Sequence, residues 1–525
     1  MRRPAIVASA VVVVAAAAGI SYAVWPEGDG GGDRASDRAT VSSPQASPSP
    51  TRSYPLSKAP QTIPAVREHT AARGPGWKPA GGRVVVSDGT LADEGRLLAG
   101  ELKLTYGGQA KAGAGDVELA LDPKVTGGEA YSMSVAGGQV RITGSTGTGV
   151  FYGTRTLKQE VHGGGTAPEG VVNDRPAKQR RGMMLDIARK TYSESWIEDR
   201  IRELGDLKFN ELGLHFSDDQ GFRIESSSHP EIVSKDHLTK AQVRSLVKLA
   251  QSRHIQIVPE IDSPGHLGAV IDAHPELRLR STSGSVIRGA VDISKPAAGA
   301  LVDDLLKEYE GLFPGTQWHL GGDEYAALMV QNPAASFPQL TAAAHQKYGP
   351  NGTIEDLATG WLNDRAKAMA PSKRSLRAWN DGFFRGTSVK ADPKLNVAYW
   401  TGKEIGARQP TEYLAEGRDV VNYNDEFMYY VLGQPQTFVY PTGERIYKQW
   451  GPRVLRDTTA VPAKYDRQIL GGSFAIWGDI PNAQTQAQVA AGIRMPLRAT
   501  VQKLWDPGPP ALTWAQFSAL AQRLG

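Results

Sequence analysis

From Arg181 onward, short strand-like runs alternate with amphipathic helical segments, and this alternation limits the fold more than any other feature. The runs are Gly182–Ile187, Glu211–Phe216, Gln256–Ile261, Gln317–Leu320, Ser375–Trp379, Asn396–Trp400, Asp419–Tyr423 and Gly472–Trp477. Helical patterns fit between most of them, at Ser195–Leu207, Lys240–His254, Ala298–Leu312, Ile354–Ala370 and Thr411–Glu416. Parallel strands need a long crossover, usually a helix, to join them. Repeated strand-helix units of this kind predict an α/β fold, a (β/α)8 TIM barrel. Asn424–Leu470 then reads as an insertion before the last strand, and Leu512–Leu524 as a closing helix.

The barrel is expected over residues 177–525, preceded by a small α+β domain over 62–176. In that domain Arg83–Ser87, Val117–Leu121, Ala130–Val135 and Gln139–Thr143 read as strands, and Leu91–Tyr106 and Gly149–Gln159 as helices. Gly147-Thr148-Gly149-Val150-Phe151-Tyr152-Gly153 lacks the glycine spacing and the βαβ surround of a dinucleotide loop, and reads as a turn into a helix. Residues 27–61 are rich in Gly, Ser and Pro and are expected to be a disordered linker.

Residues 1–26 carry a basic start, Met1-Arg2-Arg3, and a nearly unbroken apolar run from Ala5 to Ala23. Ser21-Tyr22-Ala23 has the small-x-small form of a signal cleavage site. An uncleaved anchor is the other reading, because about 20 apolar residues span a bilayer. Either way the expectation is a secreted or extracellular protein, with a membrane tether if the segment is kept. The chain has no cysteine, which excludes thiolate chemistry, Cys-based zinc sites and a lipidated cysteine anchor. A net charge of +4 on 525 residues gives no warrant for a nucleic-acid partner.

Active sites of such barrels lie at the C-terminal ends of the strands. Here those ends read Asp186-Ile187-Ala188-Arg189, His215-Phe216-Ser217-Asp218-Asp219, Glu260-Ile261-Asp262-Ser263-Pro264-Gly265-His266 and Gly321-Gly322-Asp323-Glu324, with Trp379, Trp400 and Trp477 closing later strands. Adjacent side chains leave a strand in opposite directions, so Asp323 and Glu324 are expected to diverge. Acidic residues at a helix N-terminus would explain them blandly; carboxylates and tryptophans at successive strand ends favour a sugar-binding mouth. Asp218, Asp219, Asp262, His266, Asp323 and Glu324 could instead ligate a divalent metal. The chain has neither His-Glu-x-x-His nor Gly-x-Ser-x-Gly, and no metal or cofactor is expected.

His319-Leu320-Gly321-Gly322-Asp323-Glu324 resembles the signature of family 20 glycoside hydrolases, the β-N-acetylhexosaminidases. Arg181-Gly182-Met183-Met184-Leu185-Asp186-Ile187-Ala188-Arg189, Leu214-His215-Phe216-Ser217-Asp218-Asp219-Gln220-Gly221-Phe222-Arg223 and Pro259-Glu260-Ile261-Asp262-Ser263-Pro264-Gly265-His266 resemble that family's first three barrel strands. The resemblance implies hydrolysis of terminal β-linked N-acetylhexosamine from a glycan or chitooligosaccharide. It implies a retaining mechanism in which the substrate's 2-acetamido oxygen is the nucleophile. Glu324 would be the acid/base and Asp323 would hold the acetamido N–H. Asp218, Asp262 and His266 would stand behind them, and Arg189, Trp379, Trp400, Trp477 and Asp479 would bind the sugar. Two positions depart from the family pattern. Phe427 falls where a tyrosine is usual, with Tyr429 a candidate to supply the hydroxyl and the choice left open, and Asp479 stands where Glu is common. The alternatives are release of a disaccharide, as by a lacto-N-biosidase, and a non-catalytic extracellular glycan-binding protein.

Overall fold

The computed structural model describes residues 53–525 except 386 and 404–406. The expected signal or anchor at 1–26, and most of the expected linker, lie outside the described residues. Residues 53–61, read as the linker's end, lie against the small domain: Ser57 N donates to Ala72 O at 3.0 Å, and Leu56 bridges to Arg73.

The small domain is a seven-stranded mixed sheet in the spatial order Glu68–Ala71, Gly170–Asp174, Tyr131–Ala136, Gln139–Gly144, Val117–Leu121, Arg83–Val86, Thr105–Gly108. Helices Ala92–Leu102 and Gly147–Gly164 cover it, and Val84, Leu98, Leu119, Ile142, Phe151 and Leu157 form its core. The first helix stops short of its expected end at Tyr106. Lys103 takes a left-handed backbone with φ 57°, Leu104 N turns back to Ala99 O, and the chain re-enters the sheet as an edge strand. The glycine run from Gly147 opens the second helix behind a Thr146 cap.

The barrel closes with eight parallel strands: Arg180–Asp186, Glu211–His215, Gln256–Glu260, Gln317–His319, Ser375–Trp379, Asn396–Tyr399, Val420–Asn422 and Ile469–Trp477. Glu211–His215 and Ile469–Trp477 are buried throughout, as expected for strands covered on both faces. The crossover helices begin at polar caps that meet the otherwise unpaired first-turn N–H groups. Ser193 caps Glu194–Asp206, and Thr239, Thr353 and Thr485 form capping boxes with Gln242, Asp356 and Gln488.

The seventh strand departs from the expected Asp419–Tyr423. After Val420–Asn422 the chain makes one helical turn, Asp425–Met428, and resumes as Tyr429–Val431. Both pieces pair with the eighth strand: Val420, Val421 and Asn422 face Ile469, Gly471 and Gly472, and Tyr429–Val431 face Ala475–Trp477. The helical turn thus returns the chain to the sheet nearer the mouth.

A buried polar seam joins the small domain to the barrel. Arg155 reaches Glu101 at 2.7 Å and Asp206 of the first barrel helix at 2.9 Å. Arg181 of the first barrel strand pairs with Glu129 at 2.7 Å and Tyr152 at 3.0 Å. Lys208 donates to Thr156 at 2.8 Å and Tyr131 at 3.1 Å, and Trp505 Nε1 donates to Asp174 at 3.0 Å.

Candidate active site

The fourth strand ends at His319, so Asp323 and Glu324 lie beyond it. Gly321, Gly322 and Glu324 all have positive φ, at 68°, 104° and 46°. At Gly321 this is a requirement, since a Cβ there would stand 1.7 Å from Asp262 Oδ1. The left-handed conformation at Glu324 is costly for a non-glycine residue and is characteristic of functional sites. It is held by Glu324 N donating to Asp381 Oδ2 at 2.8 Å. This turn overrides the alternation expected of a strand. Asp323 and Glu324 do not diverge: both reach His266 Nε2, at 3.5 and 3.4 Å.

Strand one supplies the cation. Asp186, fully buried, accepts from Ala188 N, Arg189 N, Arg189 Nη1 and Gly478 N, all at 2.9–3.1 Å. It thereby orients Arg189 and ties the first strand end to the last. Arg189 also pairs with Asp218 at 2.7 Å. Burial opposes the guanidinium charge, but Asp186, Asp218 and Asp479 outweigh it and raise its pKa.

Asp218 stands at a crossing of three cations: Arg189, His215 Nε2 at 3.0 Å and His266 Nδ1 at 3.3 Å. Burial raises its pKa, but these partners prevail and hold it well below the usual carboxylate range. His266 is buried, which disfavours its charge; Asp323 and Asp218 overcome this and keep it protonated well above the ordinary histidine range. His215 is likewise raised, against burial, by Glu260 and Asp218. Glu260 is pulled down to about 2, against burial, by His319 and His215. It also accepts the Trp379 N–H at 2.7 Å.

Asp262 and Asp323 are a pair of carboxyls whose charges His266 answers only in part. Burial, with Glu260 adding to it and His266 opposing it, pushes Asp262 up to about 6. Burial first, then Asp262, pushes Asp323 well above its ordinary value, and His266 only partly offsets it. Two buried carboxyls side by side cannot both ionise cheaply. Asp262 Oδ1 accepts from Gly322 N at 2.8 Å. Asp323 Oδ1 is buried with no hydrogen-bond partner. Glu324 is held below its ordinary value by the hydrogen bond from His266, against partial burial.

These groups open into a cavity of about 240 Å³ lined in part by Arg189, Asp323, Glu324, Trp400, Tyr429, Trp477 and Asp479. Trp400 stacks on Tyr429 at 5.5 Å and 3° between planes, and Trp477 meets Tyr429 at 5.7 Å. Trp379 does not line the cavity. It is buried beneath Trp477, with its N–H spent on Glu260, because its strand ends one layer deeper. Tyr429 reaches the cavity and Phe427 does not: Phe427 is buried in the outer core beneath Arg445. Asp479 is raised by burial, with Arg189 pulling the other way. Phe438, Gln436, Thr437 and Lys403 complete the wall. The sequence reading missed them, since they sit in or near irregular connections with no periodic signal. The ligating atoms of His215, Glu260 and Asp262, and of Asp262, His266 and Asp323, lie within 4.8 Å of one another. In both groups neighbouring carboxylates raise the histidine's pKa, so a cation there would have to displace its proton.

A closed parallel barrel whose mouth gathers paired carboxylates, an arginine and aromatic walls is an architecture of the glycoside hydrolase class. The chain belongs to glycosyl hydrolase family 20: the family's catalytic domain matches residues 179–505 and its domain 2 matches residues 59–175. It is 28% identical to a lacto-N-biosidase of Bifidobacterium bifidum over 89% of this chain and 42% of that protein. It is 25% identical to a β-N-acetylhexosaminidase of Cellulomonas fimi over 83% of this chain and 86% of that protein. The chain spans about two fifths of the length of the first curated relatives it matches. In fold it is similar to the GH20 β-N-acetylhexosaminidase of Streptomyces coelicolor, with TM-score 0.70, 22% identity, and 89% and 96% of the two chains covered. It is also similar to the GH20 exo β-N-acetylglucosaminidase of Vibrio harveyi in complex with N-acetylglucosamine, with TM-score 0.73, 20% identity, and 92% and 79% covered.

Proposed function

We propose that this chain is a retaining β-N-acetylhexosaminidase that removes terminal β-linked N-acetylhexosamine from glycans or chitooligosaccharides with the substrate's own acetamido group as nucleophile. The observation that carries this is the Asp323 carboxyl. Its Oδ1 is buried and meets no N–H donor of the protein, while burial and the Asp262 charge push its pKa up. An acetamido N–H is the donor such an atom lacks. An ordinary retaining pair works from opposite faces of the bond, with its carboxyls about 5–5.5 Å apart. Here both carboxylates converge on one imidazole nitrogen from the same side of the mouth. That leaves the far face of the anomeric carbon to the substrate.

The acetamido oxygen then attacks the anomeric carbon as Glu324 passes a proton to the leaving oxygen. In the free site that proton rests on His266, 3.4 Å from Glu324. A sugar covering the exposed flank of Glu324 disfavours its charge and draws the proton across. Asp323 stabilises the oxazolinium cation. Glu324 next takes a proton from the water that opens the ring, which retains the anomeric configuration. The Tyr429 hydroxyl is assigned to the acetamido oxygen, Arg189 and Asp479 to the outer hydroxyls, and Trp477 and Trp400 to the walls.

Proton NMR of the first-formed sugar tests the reading, together with rates on 2-acetamido and 2-hydroxyl aryl β-glycosides. The expected result is a β-anomer and near inertness of the 2-hydroxyl substrate. A first-formed α-anomer, or fast cleavage of the 2-hydroxyl analogue, overturns the mechanism. The likeness to a lacto-N-biosidase over most of this chain supports a second reading, release of a disaccharide. Comparing aryl lacto-N-bioside with aryl N-acetylglucosaminide in the same assay separates the two. The basic start and apolar run at Met1–Ala23 support work outside the cytoplasm, with the segment removed or kept as a tether. Among the described residues no helix is long and apolar enough to cross a membrane.

A further inference from the structure

Away from the cavity, the chain repeats a short motif. His229-Pro230-Glu231-Ile232 follows the second barrel strand, and His274-Pro275-Glu276-Leu277 follows the third. Each forms the same object: a short 3-10 turn opened by proline, with the histidine just before it at φ −135°, ψ 65° and φ −122°, ψ 64°. Ile232 and Leu277 are buried and anchor the two turns. In each, the histidine Nδ1 meets the glutamate two residues on, at 3.1 and 3.2 Å.

The two turns face each other. Their imidazoles stand 6.2 Å apart at 82°, and His274 Nε2 meets Glu231 Oε1 at 2.9 Å. Glu231 Oε1 therefore lies between two imidazole nitrogens from separate connections. Ligand atoms of His229, Glu231 and His274 all lie within 4.8 Å of one another. His229 Nε2 is out of contact with solvent and makes no hydrogen bond; Asp304 Oδ2, on helix Pro296–Glu310, is 3.6 Å away. Glu276 adds a third carboxylate, and Lys295 is tied to the Glu276 backbone carbonyl.

We propose that His229, Glu231 and His274 form a divalent-cation site of the zinc type, separate from the catalytic mouth, that clamps the connection after the second strand to the connection after the third. The donor set is the argument. Two imidazoles and one carboxylate match the ligands of zinc, whereas magnesium and calcium take oxygen. Tetrahedral zinc with ligands at about 2.0–2.2 Å places neighbouring ligand atoms roughly 3.3 Å apart. The contacts of 3.1 and 2.9 Å to Glu231 Oε1 are close to that spacing before any ion arrives. Side-chain rotation alone opens them, because the histidines and Glu231 are partly exposed while their backbones are anchored. Water takes the fourth position, and Asp304 faces the other ring nitrogen, His229 Nε2, where it would hold the imidazole's tautomer.

Neither connection is remote from the chemistry. The one after strand two carries Asp218 and the one after strand three carries His266. The clamp stabilises these loops without entering the reaction, so turnover does not depend on it.

The test is calorimetric titration of metal-stripped full chain with Zn²⁺, with thermal melts of the same samples and of His229→Ala, His274→Ala and Glu231→Gln. Expected are one zinc per chain, a rise in Tm on loading, and affinity weakened more than tenfold in each variant. Loss of an outer partner alone costs about 10–100-fold, so a direct ligand must cost at least that. Turnover of an aryl N-acetylglucosaminide should be the same with and without zinc. Matching far-UV circular dichroism of the metal-free variants shows that they fold. No binding at millimolar zinc overturns the proposal, leaving hydrogen bonds alone. Binding or a Tm rise that persists in the variants also overturns it, by placing the ion elsewhere, and zinc that inhibits turnover in wild type and variants alike locates it in the mouth.

Discussion

Two buried ionic networks lie at opposite ends of the first barrel strand, and they are built on opposite rules. At the domain seam nearly every charge meets its complement: Arg155 with Glu101 and Asp206, Arg181 with Glu129, and Lys158 with the first two acids. Against burial, Arg155 and Lys158 hold Glu101 down at about 2. At the mouth, Asp262 and Asp323 crowd each other and are both pushed up. The seam uses charge to fasten two domains. The mouth leaves Asp323 Oδ1 without a donor, which the proposed acetamido N–H would supply. Shifted acids by themselves do not mark an active site; here the raised Asp323 also lines a cavity, which Glu101 does not.

The largest effect that would sharpen this contrast is expected at the mouth. Glu324→Gln should lower kcat on poor leaving groups by about 10²–10⁴-fold while leaving Tm near that of the parent. Activated aryl substrates should suffer least. A uniform loss across a leaving-group series would remove Glu324 from acid catalysis.

The seam should answer in the other currency. Removing one partner of a buried ion pair typically costs about 3–5 kcal/mol, so Arg155→Met should lose stability on that scale in urea unfolding. Its kcat, measured well below the melt, should match the parent. A kcat loss without a stability loss would erase the distinction between the two networks.

The smallest effect is in how stability depends on pH. Glu101 is held at about 2 against an ordinary 4.5. Its contribution is complete above 4.5 and is lost as pH falls toward 2. Asp262 is pushed to about 6 against 3.8. Its neutral form favours the folded chain below 3.8, and that advantage is lost as pH rises toward 6. Tm measured from pH 3 to 7 should therefore show a less steep fall on the acid side in Glu101→Gln and a less steep fall from about pH 4 to 6 in Asp262→Asn. The same slopes in both variants and the parent would mean that neither group is shifted as described.

The barrel was legible because its signal is local. Strand runs such as Glu211–Phe216 and Gln256–Ile261 lie within a residue of the observed strands, and capped helices begin where polar residues precede apolar periodicity. The gathering of Arg189, Asp218, His266, Asp323 and Glu324 at one mouth was legible for the same reason, since each follows a strand in sequence. What failed were inferences that depend on backbone handedness or on long connections. The direction of Asp323 and Glu324 is set by positive φ at Gly321, Gly322 and Glu324, which strand alternation does not anticipate. Trp379 was placed in the wall because periodicity gives a strand's face and not its depth. The choice of Tyr429 over Phe427 follows from one helical turn inside the seventh strand position, and Phe438 comes from a connection with no repeat to read.

The hydrogen bond from Gly478 N to Asp186 has a temporal consequence. Asp186 orients Arg189, and it completes its shell only with a residue made 292 positions later. At about 5–20 residues per second, translation takes roughly 15–60 s to cover that distance. Throughout that interval the nascent chain carries its acids, its histidines and its arginine without the last strand that joins them. Until then Asp186 lacks one of its four donors, and a chain cut short before Gly478 leaves the first strand's end unclosed.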